Sequence, residues 1–188
     1  EDFYVDFSQE TELKLYSWGG AAQALGGTDD NGVEHPQRVK LEGGALHYHS
    51  DEAVDPGWAV QFYPAGGVEV IPGTVYTLTV EIKGTAETDN AISTLFGGTN
   101  QWGNITVPVA SEFETVVFDY NPAESEDGNL LVQCGGYVGD WWIKSIKISH
   151  EKAAGPEVVL NIPLEQGTFE AAGDASTPWE NPTMANGD

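Results

Sequence analysis

From Val75 to Lys83 the sequence reads Val-Tyr-Thr-Leu-Thr-Val-Glu-Ile-Lys, with apolar and polar side chains in strict alternation after Val75. Successive side chains of an extended strand point to opposite faces. This spacing therefore puts Tyr76, Leu78, Val80 and Ile82 on one side and Thr77, Thr79, Glu81 and Lys83 on the other. A helix would scatter the same apolar groups around its circumference. Extended texture recurs at Tyr4–Ser8, Leu13–Ser17, Gln37–Leu41, Ala45–His49, Ala59–Tyr63, Ala91–Phe96, Gly103–Val107, Glu114–Tyr120, Leu130–Cys134 and Trp142–Ser149. Glycines, 23 of them, and ten prolines punctuate these runs, and no long amphipathic helical stretch interrupts them. Many short strands joined by polar turns predict an all-β chain, an antiparallel β-sandwich with one solvated side per sheet.

At 188 residues the chain can bury one core with something left over. Lys152-Ala153-Ala154-Gly155-Pro156 has linker character, so the expected division is a sandwich over residues 1–152 and a tail over 153–188. Val158–Ile162 could add one more strand in that tail. The formal net charge of −23 repels phosphate backbones and anionic lipid headgroups, which argues against nucleic acid and membrane surfaces as partners. Acidic polysaccharides are disfavoured for the same reason, and a neutral ligand is the easiest to accommodate. Cys134 is the only cysteine, so neither an intrachain disulfide nor a cysteine-based zinc site can form. No apolar run approaches the roughly 20 residues of a spanning helix. Glu1-Asp2-Phe3-Tyr4 lacks the basic start and apolar stretch of a signal peptide, so the chain reads as a fragment of a longer protein or as a mature form.

Two tryptophans stand apart from the apolar runs. Trp58 follows Asp55-Pro56-Gly57, just ahead of a strand, and Trp102 lies in Gly97-Gly98-Thr99-Asn100-Gln101-Trp102-Gly103-Asn104, between two others. Flat rings among amides and carboxylates suit a sugar, whose C–H face stacks on indole while its hydroxyls seek hydrogen-bond partners. The plainer alternative is that each is a partly buried residue at the sheet rim. Trp141 and Trp142 are adjacent, so in a strand one faces the core and the other is free to line a binding face. Gln61, Glu81 and Gln133 occupy the polar phase of otherwise apolar strands, as a hydrophilic cleft floor needs and as any solvated face shows. Asn100 and Gln101 neighbour Trp102 and could reach sugar hydroxyls, and Asn100 could equally serve a turn. His47 and His49 share a strand face at a spacing that can hold a metal, but without a surrounding ligand cluster they read as surface residues. Asp29-Asp30-Asn31-Gly32 lacks the later glutamate of a calcium loop and reads as a turn.

Three stretches in order, Gly43-Gly44-Ala45-Leu46-His47-Tyr48, Trp58-Ala59-Val60-Gln61 and Ile71-Pro72-Gly73-Thr74-Val75-Tyr76-Thr77-Leu78, resemble the carbohydrate-binding modules of families 4, 9 and 22. Gly128–Gly135 and Ile143–Ile148 fit the end of the same pattern, and the resemblance covers roughly residues 3–150. It implies a jelly-roll sandwich that holds a glycan chain on one sheet, with Trp58 and Trp102 where related xylan binders place their stacking aromatics. In the tail, Val158-Val159-Leu160-Asn161, Gly167-Thr168-Phe169-Glu170 and Trp179 look like the opening of a second such module. That arrangement is similar to the paired modules inserted within xylanases of gut Bacteroidetes. The family often binds a structural calcium through Asp side chains in its last strand. Here Lys144 and Ser145 stand there, and a lysine opposes a hard cation, so no cofactor is assigned.

The expected function is therefore a non-catalytic module that binds xylan or a similar neutral β-linked polysaccharide. Its partners would be xylo-oligosaccharides and a covalently linked catalytic domain, at the cell surface or outside the cell. Two alternatives come from other classes: a small glycoside hydrolase using a carboxylate pair, and a structural or adhesion sandwich.

Overall fold

In chain order the described strands are β1 (Phe3–Asp6), β2 (Gly26–Thr28), β3 (Glu34–Gln37), β4 (Val39–Glu42), β5 (Ala45–Ser50), β6 (Gln61–Val70), β7 (Tyr76–Gly84), β8 (Ala91–Phe96), β9 (Asn100–Thr106), β10 (Glu114–Tyr120), β11 (Glu126–Gln133) and β12 (Gly139–His150). One short helix, α1 (Ala22–Leu25), and a 3-10 turn at Gly57–Ala59 complete them. The computed structural model describes residues 2–13, 22–87, 90–96, 100–122 and 126–151. The chain divides into two units, Glu1–Ala153 and Ala154–Asp188. The expected strand at Val158–Ile162 and most of that at Leu13–Ser17 lie outside the described residues.

The alternation of β7 is realised in full: Tyr76, Leu78, Val80 and Ile82 are buried, and the residues between them are half-buried. β7 pairs with β10 on one side and with β12 on the other, in the order β10-β7-β12-β5-β4. β12 is long enough to take two neighbours on its second edge, β5 along Gly139–Ile143 and β1 along Ser145–Ile148. The second sheet runs β6-β11-β8-β9, and β2 and β3 form a separate ribbon. All ladders between these strands are antiparallel. Side chains of both large sheets meet in one core cluster, with Leu78, Ile82 and Ile146 from the first and Phe62, Ile92 and Val132 from the second. The fold is an antiparallel β-sandwich.

Local sequence explains several details. The β4–β5 hairpin turns on Gly43 and Gly44, at φ +63° and +75°, which a two-residue hairpin of this hand demands. At the tip of the β2–β3 ribbon, Asp29 Oδ1 accepts from the Asn31 and Val33 amides at 2.8 and 2.9 Å while Oδ2 meets His35 Nε2 at 3.0 Å. These bonds, His35 foremost, hold the Asp29 carboxyl below its ordinary value, and the loop is a turn. β6 runs on to Val70 through Pro64-Ala65-Gly66-Gly67, residues that read as a break in sequence. It lies at the edge of its sheet, where a proline costs no ladder bond.

One end of the sandwich is closed by aromatics. Trp141 is fully buried and stacks on Tyr48 of the same sheet, with centroids 5.2 Å apart, and on Phe62 of the facing sheet at 6.0 Å. The Tyr48 hydroxyl donates to the Tyr137 carbonyl at 2.9 Å. The Tyr137 hydroxyl donates to the Asp140 carbonyl at 3.0 Å and accepts from the Thr85 and Ala86 amides at 3.2 and 3.1 Å. Gly84 makes room for it, since a Cβ there would stand 2.3 Å from that hydroxyl.

Two measurements test this end of the fold. Tyr137→Phe should strand the buried Ala86 amide, while the Thr85 amide and the Asp140 carbonyl keep their 2.9 Å bond to each other, costing about 1–3 kcal/mol, or roughly 3–9 °C in thermal midpoint. Cys134 is buried, and burial pushes its thiol well above the ordinary value. It should resist a disulfide reagent in the native protein at pH 8 and react once the chain is unfolded. The sign for stability follows: the contribution is complete below the ordinary thiol value and drains away as pH rises above it.

Candidate functional site

The four-stranded sheet turns Phe62, Ile92, Thr94, Ile105, Leu130 and Val132 inward, so the alternate positions face away from the core. Register sets the rest. Gln61 of β6 lies opposite Gln133 of β11, Gln133 opposite Ser93 of β8, and Ser93 opposite Asn104 of β9. The four side chains form one row across the whole sheet. Gln133 Nε2 donates to Gln61 Oε1 at 3.1 Å, and Ser93 Oγ donates to Asn104 Oδ1 at 2.8 Å. The row contains amides and a hydroxyl and no charge. Ser93 and Asn104 were not singled out in sequence; the only local signal is that each precedes or follows a buried Ile in the polar phase of its strand.

Trp58 is set beside the end of this row. It sits in the 3-10 turn immediately before β6 and is 60% exposed, the most exposed large apolar side chain among the described residues. The turn is tied down through Gly135, two residues beyond Gln133. The Gly135 amide donates to the Gly57 carbonyl at 2.8 Å, and its own carbonyl accepts from the Val54 amide at 2.8 Å. A Cβ at Gly135 would lie 2.6 Å from the Gly57 carbonyl oxygen, so only glycine permits this approach.

Trp102 falls inside β9, which begins at Asn100, three residues earlier than the alternation suggested. Thr94 pairs with Gly103 and Leu95 with Gln101, so Trp102 is the extra, unopposed residue of a β-bulge, with Gly103 at φ +126° beside it. The side chains of Asn100, Gln101 and Trp102 lie outside those described.

Glu81 and Trp142 belong to the other sheet and are not brought together with Trp58, Gln61 and Gln133. Glu81 Oε2 accepts from Ser145 Oγ at 2.7 Å, and Oε1 lies 3.5 Å from Lys144 Nζ. Trp142 is stacked on His47, 4.7 Å between centroids and 8° between planes, with the Lys83 ammonium 5.6 Å from its ring. His47 Nδ1 lies 2.6 Å from Glu42 Oε2 and Nε2 2.6 Å from Asp140 Oδ1, while His49 Nδ1 meets the same Asp140 oxygen at 3.0 Å. Lys40 first and His47 second hold the Glu42 carboxyl below its ordinary value. This face is a network of carboxylates, lysines and imidazoles joined by hydrogen bonds, unlike the neutral row opposite. Among the described residues, no three His, Cys, Asp or Glu side chains gather into a metal site.

The stack on His47 carries a prediction. Trp142→Ala should cost less than Trp141→Ala, about 1 kcal/mol beyond lost area against about 3–5 kcal/mol, measured by denaturant unfolding of the two variants.

No protein-family model and no curated protein matches the chain. Among solved structures it is similar to BiXyn10A CBM1 in its apo form, with a TM-score of 0.58 and 20% identity over 80% of this chain and 98% of that one. It is also similar to the second N-terminal cellulose-binding domain of β-1,4-glucanase C from Cellulomonas fimi, with a TM-score of 0.48 and 16% identity over 78% and 91% of the two chains. The first of these likenesses is one of fold: the two chains share the β-sandwich.

Proposed function

We propose that the chain is a non-catalytic module that binds a neutral β-linked polysaccharide, xylan or a close relative, on the outer face of the four-stranded sheet. The observation that carries this reading is the exposed Trp58, in a turn whose backbone is tied to the strand end just beyond Gln133 of an uncharged hydrogen-bonding row. Four strands at about 4.8 Å spacing give the row a length of roughly 14 Å, the span of a few sugar rings. In this reading Trp58 and Trp102 offer stacking surfaces, and Gln61, Gln133, Ser93 and Asn104 meet hydroxyls, with Asn100 and Gln101 alongside. Glu81 and Trp142, on the opposite sheet, have no part in it. The fold shared with BiXyn10A CBM1 is in keeping with the proposal.

Hydrolysis of a glycosidic bond needs two carboxyl groups about 5–9.5 Å apart across it. The row itself offers amides and a hydroxyl instead, which favours holding a glycan over cutting it. A module of this kind acts at the cell surface or outside it, raising the effective concentration of an attached glycoside hydrolase on its substrate. No helix among the described residues is long and apolar enough to cross a membrane.

Calorimetric titration with xylohexaose tests the reading. Trp58→Ala and Trp102→Ala should each weaken binding about 10- to 100-fold, the size of a lost aromatic stack, with Trp58→Ala leaving the thermal midpoint unchanged. Unaltered affinity in both variants would overturn it, and release of shorter sugars would make the protein an enzyme. The ligand is uncharged, so affinity should hold between 0.05 and about 0.5 M salt despite the charge of −23.

A further inference from the structure

Arg38 is the only arginine among seven basic residues in a chain with 30 acidic ones, and it is 6% exposed. It lies between β3 and β4, with its amide donating to the Ala24 carbonyl and its carbonyl accepting from the His49 amide, both at 2.9 Å. Nε donates to Ser50 Oγ at 3.3 Å, and Nη1 donates to the Gln23 carbonyl and to Gln23 Oε1 at 2.9 and 3.1 Å. Ser50 Oγ in turn donates to the Glu52 carbonyl at 2.7 Å. Every acceptor is neutral. Among the described residues no carboxylate pairs with this guanidinium.

Such an arrangement is costly by itself, because a buried charge is stabilised by an opposite charge and here has only dipoles. Three of the five N–H groups are used, and the two on Nη2 have no protein partner among the described residues. Among the described residues Trp141 Nε1 is the one fully enclosed side-chain polar atom without a partner, so Nη2 is open to some accessible space. Arg38 also lines a pocket of about 150 Å³, together with Pro36, Gln37 and His49–Glu52. The nearby Asp51 carboxylate is 93% exposed and turned to His49 Nε2 at 3.3 Å. It leaves the guanidinium uncompensated.

We infer that this pocket is a binding site for a carboxylate, free or carried on a single sugar ring such as a uronate. The unused Nη2 amino group offers one carboxylate oxygen a charge-assisted hydrogen bond, stronger than a bond to a neutral acceptor. Surface charges beyond about 8 Å are screened at physiological salt, so the anions that oppose a bound carboxylate are Asp51 and Glu52 of the pocket wall, and the bond to Nη2 has to outweigh them. The site lies apart from the Gln61–Asn104 row and does not depend on the glycan reading of that face.

A sole arginine gives a single Nε–Hε resonance, which serves as the probe. Sodium acetate, sodium D-glucuronate and glucose are titrated into the intact protein at matched ionic strength. A saturable shift of that resonance with acetate or glucuronate, and none with glucose, is the expected result. Equal response to both salts assigns recognition to the carboxylate alone, and tighter glucuronate binding adds the sugar ring; both support the site. No saturable shift, or an equal one with glucose or with sodium chloride, overturns it. Arg38→Lys, read on the backbone amides of Ser50–Glu52, should bind at least tenfold more weakly, and undiminished binding by that variant also overturns the proposal. Should Arg38→Lys fail to fold, the titration of the unaltered protein decides alone.

Discussion

The sandwich depends on the stacking of Trp141 between Tyr48 and Phe62, because that contact joins the two sheets at the end where the loops meet. Burying an aromatic ring removes on the order of 150–250 Å² from water, more than any aliphatic neighbour contributes. The two tyrosine hydroxyls nearby would be expensive to bury alone. Tyr48 and Tyr137 instead bond backbone groups of the loops after β7, β11 and at the start of β12, so apolar packing and polar satisfaction coincide. The same loops carry Gly135, and through it the turn that presents Trp58. Core and rim are thus one mechanical unit.

The hydrogen bonds described on the two outer faces differ in kind. On the six-stranded sheet His47, Glu42, Asp140, Lys144 and Glu81 satisfy one another, and a neutral ligand would gain little by displacing such pairs. In the row Gln61, Gln133, Ser93 and Asn104 of the four-stranded sheet the bonds join neutral groups and are of the strength a sugar hydroxyl can match.

How far this was legible in sequence depended on the range of the constraint. Period-two alternation is local, so β7, β8 and β10 were readable from their own residues, and adjacent Trp141 and Trp142 were bound to face opposite ways. The continuation of β6 through Pro64 and two glycines was not readable, because edge position excuses residues that would break a central strand. Alternation also says that Glu81 and Gln61 face outward without saying which outside; that is fixed only by sheet membership. The row itself joins residues 61, 133, 93 and 104, and nothing short of the strand order aligns them. Arg38 was concealed in a plausible strand, its burial decided by α1 and β5.

The internal bonds of the amide row have a consequence for its geometry. Gln133 Nε2 and Gln61 Oε1 are committed to each other, as are the Ser93 hydroxyl proton and Asn104 Oδ1, which leaves the side-chain N–H groups of Gln61 and Asn104 and the side-chain carbonyl oxygen of Gln133 for other partners. Each bond fixes two side chains before anything meets them, so a ligand on this face would find donors and acceptors already ordered and would lose less rotamer freedom in engaging them.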